Sequence, residues 1–133
     1  EIKDVFALAD LVLGRAGAGT VNEVNALGKP AIYVPLVPTR GDEQTRNARV
    51  SVEAGAATIV PQSELSPPNV SAEEAGKRLM REVQSLITDG AKLQPMGEAA
   101  RKLAKLHAAE EMAKMIVELA AKSSRFKVQS SKF

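Results

Sequence analysis

The sequence predicts an α/β domain: a partial, Rossmann-like parallel sheet of about three strands interleaved with helices, followed by helices alone. Three observations predict it. Short continuous apolar runs recur at Leu11-Val12-Leu13, Ala31-Ile32-Tyr33-Val34 and Ala57-Thr58-Ile59-Val60. Between them lie helical patterns entered or left through glycine-bearing turns. After Pro67-Pro68 only helical periodicity remains. Continuous rather than alternating apolar strands fit a sheet covered on both faces.

In chain order, a short helix over Ile2 to Leu8 leads into a strand over Ala9 to Leu13. Gly14 to Gly19 form a glycine-rich turn, and a helix follows from Thr20 to Leu27 with Val21, Val24 and Leu27 on one face and Gly28 as its stop. Pro30 breaks the chain before the strand Ala31 to Val34. The loop Pro35 to Asp42 carries two prolines and a glycine, and the next helix spans Glu43 to Ala54, closed by Gly55. The third strand is Ala57 to Val60. Three helices complete the domain: Ala72 to Ile87, Leu93 to Leu106 and Ala108 to Ala121, with a break at Asp89-Gly90. Residues 1–122 are thus expected to form the domain, and 123–133 a polar, basic, disordered tail.

At 133 residues there is room for one domain, and with 3% aromatic content its core must be aliphatic. A formal charge of +2 without aromatic stacking platforms speaks against a nucleic-acid partner. The absence of cysteine excludes disulfides and thiolate chemistry, and a single histidine, His107, excludes a multi-histidine metal centre. No apolar run approaches the roughly 20 residues that cross a bilayer. The charged start, Glu1 to Asp4, is unlike a signal peptide, so an intracellular setting is expected. The chain opens in mid-pattern, and doubly wound domains carry more than three strands. A further part of the sheet is therefore expected upstream, with a raw strand edge where it is missing.

Two segments could carry chemistry. Gly14-Arg15-Ala16-Gly17-Ala18-Gly19-Thr20 joins a strand to a helix; small residues admit a ligand to the backbone, and a helix start offers free N–H groups and a positive dipole end, which suits a diphosphate. Glu23, one turn on, could accept hydrogen bonds from ribose hydroxyls. The same residues also fit a plain turn, with Thr20 as N-cap and Glu23 as its capping-box partner. The second segment, Asp42-Glu43-Gln44-Thr45-Arg46-Asn47-Ala48, opens a helix at the same carboxyl edge of the sheet, where open α/β folds bind ligands. Gln44 and Asn47 can hold sugar hydroxyls without charge; alternatively Asp42 caps the helix and both amides are solvated. Elsewhere, His107 reads as structural or exposed, and the Met112/Met115 stripe as core. Arg125, Lys127 and Lys132 read as a solvated end with a minor attraction to anionic lipid.

Taken together, ALADLVLGRAGAGTVNEVNALGKPAIYVPL, DEQTRNARVSVEAGAATIVPQSEL and, more loosely, MGEAARKLA resemble the MurG-like GlcNAc transferases, from about residue 2 to residue 121. The resemblance implies the carboxy-terminal, donor-binding part of a GT-B glycosyltransferase, an inverting enzyme that transfers GlcNAc from UDP-GlcNAc to a lipid-linked peptidoglycan precursor. It implies that Gly17, Ala18, Gly19 and Thr20 lie against the donor diphosphate and sugar, that Glu23 binds the ribose, and that Gln44, supported by Asn47, contacts the GlcNAc. Arg15 matches a family arginine near the donor. No cofactor or metal is implied beyond the UDP-sugar substrate, and no catalytic residue falls in this chain. The implied partners are an amino-terminal GT-B domain or separate partner chain, and a lipid-linked acceptor at a membrane; the implied location is cytoplasmic, peripheral to the inner face of the plasma membrane.

The sequence departs from that family at Pro38-Thr39-Arg40, where relatives often carry a histidine, and at Glu43, another common histidine position. These departures bear on the sugar contacts rather than on the ribose and diphosphate. Without the amino-terminal domain, transfer by this chain alone is not expected. The alternative reading is a non-catalytic or split-subunit sugar-nucleotide-binding module that needs a partner chain.

Overall fold

The computed structural model describes residues 2–37, 41–66, 68 and 70–130. Three parallel strands, β1 (Val12–Gly14), β2 (Ala31–Tyr33) and β3 (Ala57–Ile59), lie side by side in chain order. The register sets Val12 beside Ala31 beside Ala57, and Gly14 beside Tyr33 beside Ile59. Short helices connect them, as parallel pairing requires: α1 (Ile2–Leu8) precedes the sheet, α2 (Ala18–Ala26) links β1 to β2, and α3 (Glu43–Glu53) links β2 to β3. A single 3-10 turn (Gln62–Glu64) leads from β3 towards α4 (Ala72–Ile87), α5 (Gly90–Leu103) and α6 (Ala108–Ser130).

Because strand side chains alternate in direction, a strand apolar throughout has to be covered twice. On one face Val12, Ala31, Tyr33 and Ala57 pack with Val21 and Val24 of α2 and Ala48 of α3. On the other, Ile32 and Val60 pack with Leu86 of α4 and Met96 of α5, flanked by Leu79, Val83 and Leu93. All three residues of β2 are buried. At the sheet edge Leu13, the register partner of Ile32, is 47% exposed.

The helix ends show how the chain turns back into the sheet. Gly28 and Gly55 both adopt a left-handed conformation, φ 63° and 77°. Each closes the double hydrogen-bond pattern of a Schellman motif: Gly28 N to Asn25 O with Lys29 N to Val24 O, and Gly55 N to Val52 O with Ala56 N to Ser51 O. Both glycines were expected as stops. Gly97 of α5 faces the first of these turns so closely that a Cβ there would stand 2.7 Å from Gly28 O.

Several expectations are corrected. The α2 helix starts at Ala18 with Gly17 as N-cap, so Thr20 sits inside the first turn and is not the cap. The Ser/Thr-x-x-Glu capping box instead lies at Ser71 and Glu74, at the start of α4, where Ser71 Oγ accepts from Glu74 N and the Glu74 carboxylate accepts from Ser71 N. The bonds the Glu74 carboxylate accepts from Ser71 N and from the Ser71 hydroxyl hold it below its usual pKa. The α5 helix begins at Gly90 rather than Leu93 and contains Pro95 within its second turn. The α6 helix runs through Ser130, past the end expected for it at Ala121. The Met112/Met115 stripe is not core: Met112, Met115, Ile116 and Leu119 are all more than half exposed, since α6 lies beyond the sheet. His107 is exposed, 3.5 Å from the Glu110 carboxylate. Among the described residues no helix is long and apolar enough to cross a membrane.

Two predictions follow from this packing. Gly97→Ala forces α5 off the α2–β2 turn and should lower stability by about 1–3 kcal/mol in urea unfolding. The fully buried Tyr33 phenol lies beside the Ser51 hydroxyl without good hydrogen-bond geometry, and burial pushes its pKa from 10.0 up to about 12. The folded state therefore holds this proton more tightly than the unfolded one. Stability should be unaffected by this group below pH 10 and should fall between pH 10 and 12, by up to about 3 kcal/mol. Comparing the unfolding free energies of the wild type and Tyr33→Phe across that range isolates the effect, which the variant should lack.

Candidate functional site

Parallel strands deliver all their exits to one edge. There the chain presents three loops: Arg15 to Gly17 after β1, Val34 to Val37 after β2, and Val60 to Gln62 after β3. The loop after β1 leads straight into α2. Val21 N donates to Gly17 O at 3.0 Å, the first intrahelical bond, and Gly17 offers no side chain to cap the helix. The N–H groups of Ala18, Gly19 and Thr20 thus have no intrahelical acceptor and sit at the positive end of the helix.

The glycines of this turn are not required by the chain's own geometry. Neither Gly17 nor Gly19 has a positive φ, and a Cβ built on either meets nothing within 4 Å. Gly28, by contrast, is needed for its left-handed turn. The space above residues 17 and 19 is open. Glu23 is exposed, and its place four residues after Gly19 and three after Thr20 puts it on the same helix face as both.

The second segment does more than solvate. Asp42 takes the N-cap position of α3 but makes no capping bond with its side chain. Gln44 is half-buried, and its Oε1 accepts from Leu36 N at 2.9 Å, holding the loop after β2. Asn47 is half-buried too; its Nδ2 donates to Ala16 O at 3.1 Å, tying α3 to the glycine-rich turn. The two predicted segments are therefore joined, and each amide keeps its other polar atom available. Arg15 Nη1 donates to Val34 O at 3.0 Å and to Gln62 Oε1 at 2.7 Å. Sequence reading missed Gln62. It is linked to Arg15 across 47 positions, and only the adjacency of β1, β2 and β3 brings them together.

A cleft of about 270 Å³ opens at this edge between Leu36, Val37, Thr45, Arg49, Pro61 and Gln62. Another, of about 310 Å³, lies at the opposite edge, lined by Asp10, Lys29, Pro30 and Arg101 among others. Among the described residues no three acidic or histidine side chains gather where they could hold a metal ion. Pro38, Thr39 and Arg40 lie outside the described residues.

Comparison with known proteins agrees with this architecture. Residues 1–118 match the glycosyltransferase family 28 C-terminal domain. A UDP-N-acetylglucosamine--N-acetylmuramyl-(pentapeptide) pyrophosphoryl-undecaprenol N-acetylglucosamine transferase of Shewanella sp. (strain MR-4) is 42% identical over 122 residues, 92% of this chain and 31% of that protein. The same enzyme of Alkalilimnicola ehrlichii is 45% identical over 118 residues, 89% of this chain and 30% of that protein. The chain thus spans about a third of the length of these relatives. A crystal structure of Acinetobacter baumannii MurG superposes with a TM-score of 0.71 at 30% identity, over 89% of this chain and 31% of that one. The glycotransferase of kitacinnamycin shares the fold, with a TM-score of 0.58 at 22% identity over 84% of this chain and 27% of that one. The three parallel strands with their helices match the structures of GT-B carboxy-terminal domains, and by sequence and fold together this chain belongs to glycosyltransferase family 28 through its C-terminal domain.

Proposed function

We propose that this chain binds the UDP-GlcNAc donor of a GlcNAc transferase acting on a lipid-linked peptidoglycan precursor. The observation that carries the reading is the start of α2: three N–H groups without an intrahelical partner, beneath two glycines that the fold itself does not need. Such a terminus accepts a diphosphate through charge-assisted bonds. In this reading Gly17, Ala18, Gly19 and Thr20 hold the diphosphate and the near side of the sugar, and Arg15 adds positive charge beside them. Glu23 accepts the ribose hydroxyls from the same helix face. Gln44 and Asn47, each with one polar atom to spare, meet the GlcNAc hydroxyls while their other atoms hold the loops.

As the bond to the sugar breaks, charge grows on the leaving UDP, and a helix terminus stabilises it there. We assign the base that deprotonates the acceptor hydroxyl to an amino-terminal domain or partner chain, which would also present the lipid-linked acceptor at the inner face of the plasma membrane. Alone, this chain would bind donor and not transfer it.

Calorimetric titration with UDP-GlcNAc, UDP and GDP tests the reading. The wild type should bind the uridine ligands saturably and in preference to GDP. Gly19→Ala should fold at least as stably, gaining up to about 1 kcal/mol as a helix residue, yet bind UDP-GlcNAc at least roughly tenfold more weakly because its methyl occupies the open space. Glu23→Ala should erode affinity for both uridine ligands. Equal binding by wild type and Gly19→Ala, or no preference for uridine, sinks the reading.

A further inference from the structure

We propose that Gln62 is a positioning residue that fastens Arg15 at the diphosphate site while leaving its positive charge uncancelled, an inference that rests on the donor-binding reading above. The geometry is a three-way tie. Gln62 Oε1 accepts from Arg15 Nη1 at 2.7 Å and from Val37 N at 3.3 Å. The same Arg15 nitrogen donates to Val34 O at 3.0 Å. One amide oxygen on the turn after β3 thereby holds the loop after β2 and the residue that follows β1.

The choice of acceptor matters as much as the tie. Both acceptors of Arg15, a backbone carbonyl and a side-chain amide, are neutral, and among the described residues no carboxylate is paired with it. Two residues along the same 3-10 turn the opposite choice is made. Glu64 accepts from Arg78 at 2.9 Å, and Glu82 meets the same guanidinium at 3.1 Å. Arg78 is thus held between two carboxylates and serves the surface of α4. Arg15 is held between two dipoles, so its full charge and its remaining donors stay available. A guanidinium oriented by neutral groups, on a residue two positions before the N-cap of a helix with unpartnered N–H groups, suits an anion of high charge such as a diphosphate. The uncharged part of a nucleotide gains little from it.

Gln62→Glu tests this directly, since the carboxylate can accept the same bonds but adds the charge that glutamine withholds. The chain and its Gln62→Glu and Gln62→Ala variants are titrated with uridine and with UDP, with amide hydrogen exchange followed at Val37. Gln62→Glu should keep the slow exchange of Val37 and bind uridine within about twofold of the wild type. Its affinity for UDP should fall roughly tenfold at low salt and by less at high salt. Gln62→Ala should speed exchange at Val37 and also weaken UDP more than uridine, so either variant alone gives the selective loss. UDP binding by Gln62→Glu as tight as the wild type's overturns the proposal, as does an equal loss for uridine and UDP, which a merely structural role would give. A wild type that binds neither ligand defeats the donor-binding reading and this inference with it; a failure confined to the variants defeats the inference alone.

Discussion

The double burial of β2 is the constraint on which the rest depends. Ala31, Ile32 and Tyr33 are each at most 1% exposed, two facing α2 and α3 and one facing α4 and α5. Both connections of β2 are helical crossovers that return over the sheet, and all three strands run the same way. With direction settled, every strand exit falls at one edge. At the amino edge α5 packs against the α2–β2 turn, where Gly97 leaves room for the Gly28 carbonyl.

At the open edge the exit loops are anchored by apolar residues, Ala16, Val34 and Val60, and by specific polar side chains. The polar anchors are four amide or guanidinium groups, from Arg15, Gln44, Asn47 and Gln62, each bonded to a partner on another element or loop. The effect is a rim whose backbone is fixed while the start of α2 remains bare. Such an arrangement separates the residues that shape a site from the groups that meet a ligand.

Much of this was legible in the sequence. The three apolar runs became the three strands, although Ala9, Asp10 and Leu11 fell before β1, and Gly28 and Gly55 ended their helices in left-handed turns that lead into the next strand. The span of α4 was read to the residue. What failed did so for identifiable reasons. Thr20-x-x-Glu23 and Ser71-x-x-Glu74 are the same pattern, and only the second is a capping box. The difference is that Gly17 and Ala18 already let the chain turn helical before Thr20. The apolar period of α6 showed correctly that one face is hydrophobic, but periodicity says nothing about whether another element covers it. Of the candidate site, the two segments were evident from their glycines and amides. The tie through Gln62 was not, because it depends on strand order and no local spacing encodes it.

In the donor-binding reading, the bare start of α2 also couples occupancy to folding. A helix whose first N–H groups lack acceptors is less stable than the same helix with a cap, and an anion seated there supplies what Gly17 cannot. Ligand and capping residue are then interchangeable in thermodynamic terms. At a ligand concentration a hundredfold above its dissociation constant, the folded state would gain about 2.7 kcal/mol by mass action. On the donor-binding reading, such a terminus would make the domain firmer when donor is plentiful and less firm when it is scarce.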